Sequence, residues 1–128
     1  MFAVSTRLLF LYLGLLVCLP PIVVAAEAVP FVMQLTRSGD NYGHRRAMLQ
    51  IDKALDEIGE QNLDITVVAY EEGIQALLAE NKGTSQLISK LANRGVVFKA
   101  CRISMRAWGL QEEQFKLEVD YVPAGAPR

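Results

Sequence analysis

The chain has 128 residues, a formal net charge of −1 and 52% hydrophobic residues, which suits one domain with one modest core. Its slight acidity excludes nonspecific nucleic-acid binding, which needs a basic face to neutralise phosphates. With only two cysteines, Cys18 and Cys101, it is no disulfide scaffold.

Met1–Arg7 carries one positive charge and no acid, Leu8–Leu19 is continuously apolar, and Val24-Ala25-Ala26 or Ala26-Glu27-Ala28 offers small residues for cleavage. This pattern predicts a secretory signal peptide over residues 1–26, cut after Ala26 or Ala28, and a periplasmic or secreted protein. The apolar run is shorter than the ~20 residues a membrane span needs, and Pro20-Pro21 would break a longer helix, so no stable span is expected after cleavage. The alternative is an uncleaved amino-terminal anchor. Lipidation at Cys18 is disfavoured, because Val17 stands where a small residue is wanted and two prolines follow. Cleavage would leave 27–128 as one α/β domain. That domain keeps every acid, loses only Arg7 among the bases, and retains Cys101 as its sole thiol. An odd cysteine in an exported protein is buried, paired with another molecule, or chemically used.

Val29–Leu35 reads as the first strand, with Pro30 tolerable near its start. Thr36–Gly43 is turn chemistry, in which Asp40 or Asn41 caps the helix that follows. From His44 to Ile58, Ala47, Met48, Ile51, Ala54, Leu55 and Ile58 fall on one helical face, and Gly59 ends it. Leu63–Tyr70, rich in β-branched residues, is the strand at the centre of the sheet, covered on both faces. Glu71-Glu72-Gly73 leads into a short helix over Ile74–Ala79. Lys82–Ser85 breaks the chain and recaps it for a helix marked by Leu87, Ile88, Leu91 and Ala92, which ends before Gly95.

Val96–Ala100 is then a strand that runs straight into a helix from Cys101 to Ala107 or Trp108, putting Cys101 at the joint. Gln111–Phe115 predicts one more helical turn. Leu117, Val119 and Tyr121 alternate with Glu118 and Asp120 as a half-exposed edge strand ended by Pro123, with a tail beyond. Strands alternating with helices predict a single three-layer α/β domain, a mostly parallel sheet of four to five strands flanked by helices.

In such a sheet ligands collect beyond the carboxyl ends of the strands. Three loops arrive there, giving a candidate pocket of Thr36, Ser38, Asn41, His44, Tyr70, Glu71 and Gly73, with Cys101 and Arg102 beside it. Cys101 is the strongest chemical candidate. A free thiol titrates near about 8.5, and lowering that by two units takes about 2.7 kcal/mol in favour of the thiolate. A helix amino end supplies about 0.3–1 kcal/mol and at best about 2, so a cation must add the rest; Arg102 and Arg106 are at hand. The competing role is a buried cysteine acting as a small apolar side chain. Acids near a thiolate oppose its ionisation, which sets Glu71 and Glu72 against this activation.

His44 is the sole histidine, and it reads as a cap or surface residue before a proton carrier. No Cys or His pair has metal-ligand spacing and no glycine-rich phosphate loop is present, so no metal and no cofactor are expected. Met105 and Trp108 read as core or interface residues, and a face containing Trp108, Phe115 or Tyr121 is the place for self-association.

The run Gly95-Val96-Val97-Phe98-Lys99-Ala100-Cys101, then Met105-Arg106 and Gly109-Leu110, and finally Val119 with Val122-Pro123-Ala124-Gly125, resembles the DsrE/DsrF-like sulfur-relay family, most closely its exported single-domain branch. The resemblance covers roughly Phe31 to Gly125. It departs at Tyr70-Glu71-Glu72-Gly73, where a small or Gly-rich loop is expected. It implies a compact α/β fold, frequent homo-oligomers, a protein sulfur donor or acceptor as partner, and a thiol that carries sulfane sulfur as a persulfide, which by position is Cys101. One thiol suffices for a carrier, whereas a disulfide oxidoreductase needs a second, resolving one. The other readings are an oligomeric binding module without chemistry and a small-molecule binder in the same crevice.

Overall fold

The computed structural model describes residues 26–37 and 41–124, with only the backbone of Asn41 and Tyr42. The expected signal peptide (all but Ala26), Cys18, Ser38 and the tail from Gly125 lie outside the described residues.

Hydrophobic spacing that alternates between two and 3.6 residues builds four strands, β1 (Val29–Leu35), β2 (Leu63–Ala69), β3 (Val97–Cys101) and β4 (Val119–Val122). Between them stand helices α1 (Asn41–Ile58), α2 (Ser85–Asn93) and α3 (Arg102–Ala107), with 3₁₀ turns over Glu60–Asn62, Glu71–Leu77 and Glu112–Gln114. All strands are parallel, in the order β1-β2-β3-β4, so this is the expected α/β sheet flanked by helices. In the ladder Leu35 pairs with Ala69, Val67 with Phe98, and Phe98 with Val119.

Side chains alternate between the faces of a strand, and this register sorts them. Every strand residue of the hydrophobic core lies on one face: Leu35, Ile65, Val67, Ala69, Phe98, Ala100 and Val119. Met48, Ile51 and Leu55 of α1, Ile74 and Leu77 of the long 3₁₀ turn, and Ile88 and Leu91 of α2 close over that face. The topology explains this. Parallel strands that step in one direction, joined by right-handed crossovers, carry their connections on the same side of the sheet. The opposite face bears Val32, Gln34, Thr66, Val68, Lys99, Cys101, Asp120 and Val122, none of which joins the core cluster.

Several boundaries differ from the sequence reading for local reasons. Residues Glu71–Leu77 wind as a seven-residue 3₁₀ turn, since Tyr70 and Gly73 are tied closely to the end of β1. The Tyr70 amide donates to the Leu35 carbonyl at 3.0 Å, and a Cβ on Gly73 would come within 2.1 Å of that same oxygen. Only glycine permits so close an approach of backbones. The last strand begins at Val119, not Leu117, whose side chain is fully exposed. Gly95 adopts φ +90° and closes α2, with the Val96 amide donating to the Leu91 carbonyl at 3.0 Å, a left-handed cap that favours glycine.

Polar contacts lock the helices. Arg94, just past α2, pairs with Asp52 at 2.5 Å and Asp56 at 2.7 Å on α1, and with Glu60 at 2.6 Å; Lys90 pairs with Asp52 at 2.5 Å. The hydrogen bond from Lys90, and then that from Arg94, holds the Asp52 carboxyl below the ordinary aspartate value against the opposing effect of burial. Glu60 first and Asp52 second hold the Arg94 guanidinium above its ordinary value. Thr84, fully buried at the start of α2, donates to the Ala76 carbonyl at 2.7 Å and fastens the helix to the 3₁₀ turn.

Candidate functional site

The carboxyl ends of β1, β2 and β3 meet as the element order predicts. Thr36 and Arg37 after β1, Glu71 and Glu72 after β2, and Ile103, Ser104, Ala107 and Trp108 of the α3 region wall a pocket of about 480 Å³. Of the residues expected there, Thr36 and Glu71 line it directly, while Gly73 is buried beneath against Leu35. Tyr70 stands at the margin, donating its hydroxyl to Gln34 Oε1 at 2.8 Å. Asn41 starts α1.

His44 is buried and its Nε2 donates to the Arg37 carbonyl at 2.9 Å. Its role is to hold the loop after β1 against α1, and it also borders a smaller cleft with Thr36 and Arg37.

Cys101 is the last residue of β3 and the residue immediately before α3, as the sequence indicates. It is a free thiol, 2% exposed, and lies on the sheet face opposite the core, in register with Val122. Alternation across β3 puts Phe98 and Ala100 into the core and leaves Cys101 on the other side. None of the five described pockets is walled by Cys101; the strand-end pocket is walled instead by Ile103 and Ser104, in the helix turn that follows it.

The two arginines expected to serve it have other neighbours. The Arg102 guanidinium pairs with Glu112 and lies 5.0 Å from the centre of the Tyr121 ring, turning its charge toward β4. Tyr121 is fixed edge-on to Phe115 at 5.9 Å and donates to the Glu112 carbonyl at 3.1 Å. Burial first, then the negative charge of Glu112, raises its hydroxyl above the ordinary tyrosine value. Arg106 is exposed and lines a groove of about 410 Å³ with Arg102, Met105 and Glu112.

The residue that sequence reasoning missed is Ser104. It is buried, and its Oγ accepts the Glu71 amide at 2.7 Å, which pins the first turn of α3 to the loop after β2. Glu71 carries φ +51°, the sole non-glycine residue with positive φ among those described, and the Ser104 bond holds it there. Such strain, about 1–2 kcal/mol for a non-glycine residue, clusters at functional sites. Nothing in the spacing of Ser104 announces a bond 33 residues away. Arg37, Glu72, Ile103 and Trp108 also line the pocket; Ile103 is 52% exposed and Trp108 45%, leaving an apolar rim beside a charged wall. Trp108 is therefore a surface residue, while Met105 is core.

A free cysteine thus stands immediately before a helix at the end of β3, and comparison with known proteins places the chain in a family. The model of the DsrE/DsrF-like family matches residues 31–128. The chain belongs to the DsrE/DsrF-like family. That family is related to sulfur relay. No curated protein matches the chain. Among solved structures it is similar to MTH1491 from Methanobacterium thermoautotrophicum, described as a protein of unknown function, with 27% identity, a TM-score of 0.62, and coverage of 75% of this chain and 83% of that one. It also shares its fold with the ychN protein from E. coli, at 19% identity and a TM-score of 0.55, over 76% of this chain and 85% of that one.

Among the described residues no group of three His, Cys, Asp or Glu is placed to hold a metal ion, and no helix is long and apolar enough to cross a membrane.

Proposed function

We propose that this DsrE/DsrF-like protein is an exported sulfur carrier that holds sulfane sulfur as a persulfide on Cys101. One observation carries the reading: the single thiol of the described residues stands at the β3–α3 joint, directly before the turn whose Ile103 and Ser104 wall the strand-end pocket. The Cys101 thiolate attacks the outer sulfur of a persulfide or polysulfide donor. One sulfur–sulfur bond forms, the donor's breaks, and the donor leaves as a thiolate. An acceptor thiolate then attacks the outer sulfur of the Cys101 persulfide, which releases Cys101 as the thiolate. No outside oxidant or reductant is consumed.

Burial of Cys101 makes the resting state a protected one. Access comes through α3, a six-residue helix whose outer residues Arg102, Ile103, Arg106 and Ala107 are exposed. Among the described residues its ties are the Ser104–Glu71 hydrogen bond, the Arg102 contacts with Glu112 and the Tyr121 ring, and the burial of Met105. Elements so lightly held open at lower free energy than the core. The cation that a reactive thiol needs is Arg102 or Arg106, released toward the sulfur when α3 moves.

The test is to offer the folded chain a polysulfide donor and weigh the Cys101 peptide. A gain of one sulfur atom on Cys101, absent in Cys101→Ala, supports the carrier. An unchanged Cys101, under conditions that load a free low-molecular-weight thiol, refutes it.

A second reading has one observation in its favour, the 2% exposure of Cys101. Under it the protein is a binding module without chemistry, and its partner sits in the strand-end pocket against Ile103 and Trp108. Trp108→Ala would then abolish partner binding, and Cys101→Ala would leave it intact.

A further inference from the structure

The sheet face that carries Cys101 also carries a cation. Side chains alternate along a strand, so residues two apart share a face, with Cα atoms about 6.6 Å from one another. Lys99 is therefore the neighbour of Cys101 on β3, while Phe98 and Ala100 turn to the core on the other side. It is half-buried, and its partners in the ladder are Val68 of β2 and Asp120 of β4. Val68 is fully buried and Asp120 is exposed, so Lys99 has an apolar residue on one side and a carboxylate on the other. A lysine ammonium is a compact charge on a flexible four-carbon stem, long enough to serve either Asp120 or the next residue on its own strand face, which is Cys101.

The arginines of α3 are neighbours of another kind. Arg102 is engaged by Glu112 and the Tyr121 ring, and both arginines ride on the helix whose movement gives access to the thiol. Lys99 belongs to a strand paired with β2 on one side and β4 on the other, and it stays with Cys101 whether α3 is closed or open. The other charged or titratable groups around this part of the sheet come from three directions. Asp64 lies further back along β2, and Tyr70, whose hydroxyl donates to Gln34 at 2.8 Å, stands at its end with Glu71 and Glu72. On the side of β4 are Asp120 and Glu118, the latter accepting from Ser89. From α3 and beyond come Arg102, Arg106 and Glu112.

We propose that Lys99 is the standing positive charge of the Cys101 site, and that Asp120 competes with the thiolate for it. A cation beside an ionising thiol favours the thiolate, and a carboxylate opposes it. With the thiol protonated, Asp120 balances the ammonium as a cross-strand pair of opposite charge. When the proton passes to water, the same ammonium balances the sulfur. The inference rests on the carrier reading for the use made of the thiolate, and on the strand register for the charge.

Alkylation of Cys101 by iodoacetamide in the folded full chain, followed by mass across a range of pH, tests the assignment. At neutral pH Lys99→Gln should react about tenfold more slowly than the original chain, the effect of removing one opposite charge near an ionising group, and Lys99→Arg should stay within about threefold of it. The gap should close at alkaline pH, where the thiol is ionised in both, whereas a change in how the fold opens would persist at every pH. Asp120→Asn, at an exposed position, should react about threefold faster at neutral pH. A Lys99→Gln rate equal to the original, a deficit that persists at alkaline pH, an arginine variant as slow as the glutamine one, or an Asp120→Asn chain no faster than the original overturns the proposal. Polysulfide loading separates the two claims. A chain that shows these rates and takes up no sulfur refutes the carrier and leaves Lys99 in its role; sulfur uptake with rates indifferent to Lys99 refutes the assignment and leaves the carrier.

Discussion

The two faces of the sheet divide the work of this molecule. One face holds Phe98, Val67, Ala69 and Ala100, all fully buried, packed under α1, α2 and the long 3₁₀ turn. The other holds Cys101 and Val68, also buried, among half-exposed or exposed neighbours such as Thr66, Lys99 and Asp120. The strand that supplies the centre of the core at Phe98 supplies the thiol three residues later on the opposite side. The covered face carries the stability, and the thiol occupies the face whose alteration the fold can absorb.

Breaking the covered face should therefore cost most. Phe98→Ala is expected to lose about 3–5 kcal/mol, the usual range for deleting a buried aromatic ring, read as a fall in the denaturant midpoint. Gly73→Ala, which forces a methyl group into the Leu35 carbonyl, should cost about 3 kcal/mol, the upper end of ordinary overpacking because the obstacle is backbone. Cys101→Ala should cost only about 1 kcal/mol, comparable to deleting one buried methyl group, yet should remove all sulfur loading. That asymmetry between stability and function is what the comparison of faces predicts; a loss as large as that of Phe98→Ala would erase the distinction.

The smallest effect concerns acid. The Asp52 carboxyl is depressed in the folded state, so it stabilises the fold above its unfolded value of about 4. That stabilisation disappears as pH falls through the lower folded value. Glu118, depressed by the hydrogen bond from Ser89, acts in the same direction. Asp52→Asn should lower stability at neutral pH by about 0.2–1 kcal/mol and flatten its decline below about pH 4, measured by thermal melts across the acid range.

Much of this was legible in the residues. The three-and-four spacing of Met48, Ile51 and Leu55 gives α1, the β-branched run at Ile65–Val68 gives an interior strand, and Cys101 falls at the strand–helix joint as the Gly95–Leu110 pattern indicates. The convergence of three loops follows from element order alone. What the residues conceal is long-range. Arg102 looks available to Cys101 because it is adjacent in sequence, but Glu112 and Tyr121 draw it toward β4. Trp108 reads as core or interface because it is large and apolar, and only its place just past α3, 45% exposed at the pocket rim, decides against the core. Leu117 alternates correctly with Val119 and still precedes the strand, since a turn closed by the Val119 amide on the Lys116 carbonyl at 3.1 Å takes it out of the ladder.

The central claim, that Cys101 is a thiol in use and not a buried filler, is tested most directly by its alkylation rate in the folded chain across low denaturant concentrations. If α3 opens locally, as the carrier requires, the rate exceeds that of global unfolding and barely changes with denaturant. A rate equal to global unfolding, rising with denaturant along the same slope, contradicts it.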